Sequence, residues 1–274
     1  MCIRDRPEGA ALTNVAQSAP HHEPVGAHTQ SVLRWLVQIE ALLDETEQSD
    51  ASLQQAQAVL AEYRQPLVDH LARRIDGSMN GRMLLRLGAL FHDVGKKETQ
   101  TVEDDGRIRF LGHDKAGAKL AGSRLRRLVL SNQAIKHAQK IVEGHMRPLM
   151  LANTGQSPSR RAIFRFFRDT KDAGLDICLL ALADHLATYD GPGEGDQWQQ
   201  LLQVVGALLN HYFEQFNETV APIPLLTGSD LIHALDCPPG PEIGRLLRLI
   251  QEAQAAGEIT TRDEALAFAI NSRQ

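Results

Sequence analysis

From about residue 28 onward, apolar residues recur at helical spacing nearly everywhere, and this regularity confines the chain to an all-α fold. Val32, Trp35, Leu36, Ile39, Leu42 and Leu43 make one stripe, and Leu60, Leu67, Leu71 and Ile75 another. Met83, Leu84, Leu87, Leu90 and Phe91 make a third, apolar enough to be expected at the centre of the core. Only Thr101 to Phe110 alternates, around Asp105-Gly106, which predicts one small β-hairpin too short to seed a sheet. Further helices are expected from near His113, from Ser131 as N-cap, from Ser157-Pro158 and from about Leu175 to Ala187. Beyond the breaker-rich Asp190 to Gly195, helices are expected from Trp198 to Phe216 and from near Ser229, Pro241 and Thr261, where Thr261 and Glu264 have capping-box spacing. The expected organisation is a helical bundle over residues 28–190 and a smaller helical C-terminal domain over 191–274. Residues 1–27 read as an extended lead-in, and residues 1–6 resemble translated sequencing adapter, which would make the chain a piece of a longer protein.

Composition narrows the function classes. With 43% apolar residues in 274, the chain can bury a sizeable core, which excludes a disordered protein. No apolar run approaches the ~18 to 20 residues of a membrane span, and no signal peptide is present, so no membrane partner and a cytoplasmic location are expected. Cys2, Cys178 and Cys237 are widely separated and odd in number, which predicts no disulfide partner and no thiolate metal site. The net charge of −5 conceals a basic band: residues 107–171 hold fifteen Lys and Arg against three Asp and Glu. Such a band suits phosphate groups or a nucleic-acid backbone, although a solvated helical face carrying Arg124, Arg126 and Arg127 would give the same count.

The third stripe runs into His92-Asp93, so this pair is expected on the last turn of a buried helix, with Gly95 ending it in the left-handed conformation. Imidazole nitrogens and carboxylate oxygens bind divalent transition metals, and one Asp can bridge two ions. Partners for the pair are His28 at the start of the first helix, His113 after the hairpin, His145 and Asp184. Asp184 lies in so apolar a run that an unpaired carboxylate there would be costly to bury. His21, His22, His70, His185, His211 and His233 are set aside as non-ligands, and His137 is held as a reserve. Lys96 is a candidate to neutralise phosphate charge, as are Arg147, Arg160, Arg161 and Arg165, for which a solvated face is equally open.

In this order, His28, His92-Asp93, His113, His145 and Asp184 resemble the ligand set of the HD phosphohydrolase superfamily, in its two-metal version. The stretches 21–25, 107–113, 162–168, 225–231, 239–244 and 252–259 resemble the C-terminal part of bacterial CCA-adding tRNA nucleotidyltransferases and their poly(A) polymerase relatives. The resemblance implies an HD-type bundle hydrolysing phosphomonoesters or cyclic phosphodiesters of nucleotides or RNA ends, with Asp93 and Lys96 catalytic. It further implies two divalent ions, of Fe, Mn, Co, Ni, Zn or Mg, and a nucleotide or tRNA partner. His28, His92, Asp93 and Asp184 would hold one ion, and Asp93 would bridge to a second held by His113 and His145. The magnesium-binding Asp-x-Asp of the family's nucleotide-transfer head occurs nowhere in the sequence, so that chemistry is not expected here. The alternative is the RNA-holding body of a truncated CCA-adding or poly(A) polymerase-type enzyme with no hydrolase activity of its own.

Overall fold

A computed structural model describes residues 12–44, 50–77 and 79–273; the adapter-like residues 1–6, Cys2 among them, lie outside these. Two compact units divide the chain, one taking in Met1–Ser157 and Asp172–Gly206, the other Pro158–Lys171 and Ala207–Gln274. The first contains α1 (Val25–Leu42), α2 (Ala51–Leu60), α3 (Arg64–Ala72), α4 (Gly81–Phe91) and the short α5 (Lys96–Thr99). An antiparallel hairpin follows, β1 (Thr101–Val102) with β2 (Ile108–Arg109), then α6 (His113–Arg127), α7 (Asn132–Gly144) and α8 (Arg147–Ala152). The chain continues through α9 (Arg160–Thr170), α10 (Ala173–Tyr189), α11 (Gln197–Phe213), a π-helical turn (Phe216–Val220), α12 (Gly228–Leu235), α13 (Pro241–Ala256) and α14 (Arg262–Asn271). The all-α expectation with one hairpin holds. No helix among the described residues is long and apolar enough to cross a membrane, and Cys178 and Cys237 are free thiols.

The core of the first unit is built around α10, which is buried from Ala173 to Thr188 on every face. A helix apolar all round can only be a core helix, and each of its buried leucines is worth about 1.5–3 kcal/mol as an upper estimate. α1, α4, α7 and α8 pack against it. The centre is therefore α10 rather than α4, whose buried face runs through Leu84, Leu85, Gly88 and Ala89 while Met83 is 47% exposed. Close approach explains the shift of face: a Cβ on Gly88 would stand 2.3 Å from Cγ2 of Ile141 on α7.

Four boundaries differ from expectation. Residues 12–24 are not helical, yet Leu12 and Val15 are buried against Val25 and Val94, and Val25 N–H donates to Val15 O at 2.9 Å. The folded part thus begins before His28; two apolar residues are too few to register as a period. α9 is capped by Ser159, whose hydroxyl accepts from Ala162 N–H, because Pro158 forces Ser157 away from helical backbone. α11 ends at Phe213 rather than Phe216, and the units divide within it at Gly206 instead of at the loop 190–195. Elsewhere the caps follow their chemistry: Ser131 accepts from Ala134 N–H, and Thr227/Asp230 and Thr261/Glu264 form capping boxes.

In the second unit, α9 packs on α13 and on the π-helical turn, and a core of Leu231, Leu246, Ile250 and Ala265 joins α12, α13 and α14.

Gly95 has φ −78°, an ordinary right-handed residue, not the left-handed helix end expected. What requires glycine is proximity: a Cβ would stand 2.2 Å from His113 O and 2.5 Å from Gly117 N on α6. The loop carrying His92-Asp93 is thereby seated on the first turn of α6. Gly95→Ala is expected to destabilise the protein by about 1–3 kcal/mol in urea unfolding; an unchanged midpoint would show that this contact is absent.

Candidate metal centre

His92, the residue directly after α4, donates through Nδ1 to Ala89 O at 2.7 Å. His113, the first residue of α6, does the same to Phe110 O at 2.8 Å, and His145, directly after α7, to Val142 O at 2.7 Å. A carbonyl can only accept, so each Nδ1 carries a proton and each Nε2 is the atom left to face inward. Those Nε2 atoms converge on Asp93. His92 Nε2 is buried without a hydrogen-bond partner and lies 3.2 Å from Asp93 Oδ2, while His113 and His145 present Nε2 at 3.5 and 3.9 Å from Asp93 Oδ1.

His28 on α1 completes the other side. Its Nε2 is 2.9 Å from Asp184 Oδ1 on α10 and 3.8 Å from Asp93 Oδ2, and His92 Nε2 is 3.9 Å from the same Asp184 oxygen. The structure thus brings all six predicted ligands together, every one buried. Two donor triplets overlap, His28-His92-Asp93 and Asp93-His113-His145, each with its atoms within 4.8 Å of one another, and Asp93 belongs to both.

The electrostatics favour a cation at this place. His113 Nε2 and His145 Nε2 face each other at 3.2 Å. With both Nδ1 atoms protonated, two such nitrogens tolerate that distance only if a proton or a metal ion lies between or beside them. Protonation is disfavoured at His145, whose pKa is pushed down to about 4 by burial and then by the charge on His92. Burial opposes ionisation of Asp93, but the charges of His92 and Lys96 outweigh it and hold the carboxyl well below the usual carboxylate range. Asp184 is also held low, burial being overcome by its hydrogen bond from His28. For His92, burial is outweighed by Asp93 and the pKa lies above the ordinary histidine value. Two anionic carboxylates among four inward-facing imidazoles fit a divalent metal centre.

Lys96 is buried rather than exposed. Its Nζ lies 2.7 Å from Asp93 Oδ2 and 2.6 Å from Gln17 Oε1, and 5.5 Å above the Phe110 ring. A cavity of about 470 Å³ opens here, lined by Asp93, Lys96, His113 and Asp184 with Arg107 and Phe110 among its walls. Sequence reasoning missed two further lining residues, Gln17 and His21. The His21 ring stands edge-on to His28 at 4.8 Å, and burial and then Lys96 press its pKa down to about 4. The sole hint had been its place in the stretch 21–25.

The reserve histidine is used elsewhere: Asp176, wholly buried on α10, accepts from His137 Nε2 at 2.8 Å and His70 Nε2 at 3.0 Å. Arg160, Arg161 and Arg165 are engaged within the second unit. Arg160 donates to Ala255 O at 3.0 Å, Arg161 to Glu258 at 2.6 Å, and both Arg161 and Arg165 pair with the largely buried Glu252 of α13. Those guanidinium groups hold α9 to α13. Arg147 opens α8, two residues after His145.

Comparison with known proteins gives the wider frame. The family model described as tRNA nucleotidyltransferase domain 2 matches residues 113–269, more than half of the chain. A CC-adding tRNA nucleotidyltransferase of Thermus thermophilus is 36% identical over 184 residues, 67% of this chain and 38% of that protein. An A-adding tRNA nucleotidyltransferase of Deinococcus radiodurans is 35% identical over 199 residues, 72% of this chain and 43% of that protein. A CC-adding tRNA nucleotidyltransferase of Synechocystis is 32% identical over 154 residues. The chain spans about two fifths of the length of the first two relatives.

Because Asp93 belongs to both donor triplets, ligand variants are expected to separate by stoichiometry. Elemental mass spectrometry of the protein loaded with Mn, Co or Zn should find about two ions per chain, about one for His113→Ala and close to none for Asp93→Ala. Retention of both ions by folded Asp93→Ala would contradict the shared site.

Proposed function

The chain belongs to the tRNA nucleotidyltransferase domain 2 family, and from that premise we propose that it forms the helical body that holds tRNA in a nucleotide-adding enzyme. The observation that carries this reading is the family match over 113–269, which takes in most of the basic band. A fold of packed helices with unpaired basic residues on its surface suits a phosphate backbone, which is bound through counterion release and without need of a base-reading groove. Nucleotide addition itself is not assigned to these residues, since the sequence holds no Asp-x-Asp.

A second activity is favoured by the overlap of two donor triplets at a cavity: hydrolysis of phosphomonoesters or 2′,3′-cyclic phosphodiesters at the ends of nucleotides or RNA. Divalent ions held there would stabilise charge on a phosphoryl group and make water a competent nucleophile near neutral pH. Fe, Mn, Co, Ni and Zn all suit mixed imidazole and carboxylate donors. The protein's own contribution is geometric and electrostatic. Asp93 spans both triplets and sets their separation, while Ala89, Phe110 and Val142 carbonyls lock three imidazoles in orientation. Lys96 sits beside Asp93 with its charge in the cavity, where it would hold a phosphoryl oxygen. Arg107 adds positive charge at the cavity wall, which Phe110 also lines.

Fluorescence anisotropy with tRNA tests the first reading. Affinity is expected to fall more than about tenfold between about 50 and about 200 mM salt, and absence of binding at low salt would sink it. For the second, the metal-loaded protein should hydrolyse a 2′,3′-cyclic mononucleotide, and Asp93→Ala should lower the rate at least about 100-fold. Equal rates would exclude the centre as the site of hydrolysis.

A further inference from the structure

We propose that the outward face of α6 is the track along which an RNA strand lies when its end enters the cavity at the metal centre. For what the cavity receives, the proposal rests on the phosphohydrolase reading; the track itself rests on the geometry and charge of α6.

One end of α6 is fixed at the centre, because its first residue, His113, belongs to the second donor triplet and lines the cavity. The helix cannot roll. Its inner face of Gly117, Ala118, Ala121, Gly122 and Leu125 is buried, and Gln139 of α7 donates from Nε2 to Ala118 O at 3.0 Å. Gly122 is pinned beside the same side chain, since a Cβ there would stand 2.3 Å from Gln139 Nε2. The opposite face is consequently held in one orientation. Lys115, Lys119 and Arg126 are all exposed, and at 3.6 residues per turn they fall within about 40° of one another along one side of the helix. From Lys115 to Arg126 the stripe runs about 16 Å, enough for several consecutive backbone phosphates.

The basic band meets two different fates. On α9 the arginines face Glu252 and Glu258 and serve packing, whereas among the described residues no ion pair involves Lys115, Lys119, Arg126 or Arg127. The only acid on α6 is Asp114. Helix-dipole stabilisation accounts for cations in the last turn, but not for Lys115 and Lys119 in the N-terminal half, where positive charge opposes the dipole. A polyanion lying along the helix accounts for these two together with Arg126. Continuity points to RNA rather than a free nucleotide: Arg107, exposed on the hairpin, extends the positive charge into the cavity wall beside His113.

The test compares Lys115→Glu/Lys119→Glu/Arg126→Glu with a control of matched charge outside the basic band, Arg34→Glu/Arg74→Glu/Arg248→Glu, also at exposed positions. Binding of a short single-stranded RNA ending in a 2′,3′-cyclic phosphate is read against salt, alongside hydrolysis of the corresponding mononucleotide and metal content. The track variant is expected to bind RNA at least about tenfold more weakly, with the logarithmic salt slope reduced by about 2, while mononucleotide hydrolysis and metal content stay unchanged. The control should lose far less. Equal losses in both variants, or unchanged RNA affinity in a folded track variant, would overturn the proposal. If wild type hydrolyses neither substrate yet the track variant alone loses RNA affinity, the phosphohydrolase reading fails and the track stands. Should the glutamates prevent folding, Lys115→Gln/Lys119→Gln/Arg126→Gln reads the same slope.

Discussion

Burying the Asp93 carboxylate among imidazole nitrogens that point at it is the constraint on which the first unit is arranged. A buried anion and a cluster of inward lone pairs are each costly alone, by several kcal/mol, and become tolerable only where opposite charge is supplied. Lys96 supplies part of it at 2.7 Å from Asp93 Oδ2. The 3.2 Å approach of His113 Nε2 to His145 Nε2 leaves a place that a cation satisfies best. Around this point the helices are held with little freedom: α10 is buried on all sides and carries Asp184, Gly88 lets α7 close on α4, and Gly95 seats the Asp93 loop on α6. His92 and His145 stand just past helix C-termini, where last-turn carbonyls of Ala89 and Val142 orient their rings, and Phe110 O, just before α6, orients that of His113.

The same central helix carries a second buried anion. Asp176 is neutralised in another manner, by two imidazoles hydrogen-bonded to one of its oxygens, and burial is there overcome by His137 and His70 to keep its pKa low. The contrast is instructive. At Asp176 two histidines donate Nε2–H to one carboxylate oxygen, at 3.0 and 2.8 Å; at Asp93 the Nε2 atoms of His113 and His145 stand off at 3.5 and 3.9 Å, while each Nδ1–H is given to a backbone carbonyl.

Much of this was legible in the sequence, because the signals were local. Helical period, the capping box at Thr261, the Asp105-Gly106 turn and the costly carboxylate at Asp184 each depend on neighbours a few residues away. What escaped depends on distant contacts. The role of Gly95 is set by His113 and Gly117, the buried face of α4 by Ile141, and the burial of Leu12 and Val15 by Val25 and Val94. His21 reaches the cavity from a segment with no periodicity at all. The arginines of α9 matched a phosphate-binding pattern, yet their partner Glu252 is roughly ninety residues away in sequence, and only the fold brings it to them.

A body that holds tRNA and a centre that hydrolyses phosphate esters are compatible in one chain, since the basic surface and the buried donors occupy different faces of α6: His113 points inward while Lys115 and Lys119 are exposed. The central claim is that Asp93 is shared by two ions. Anomalous diffraction from crystals of the metal-loaded protein tests it most directly. Two peaks are predicted, both within bonding distance of Asp93, one also ligated by His28, His92 and Asp184 and the other by His113 and His145. A single peak that leaves Asp93 unligated, or none at full metal saturation, would contradict the account.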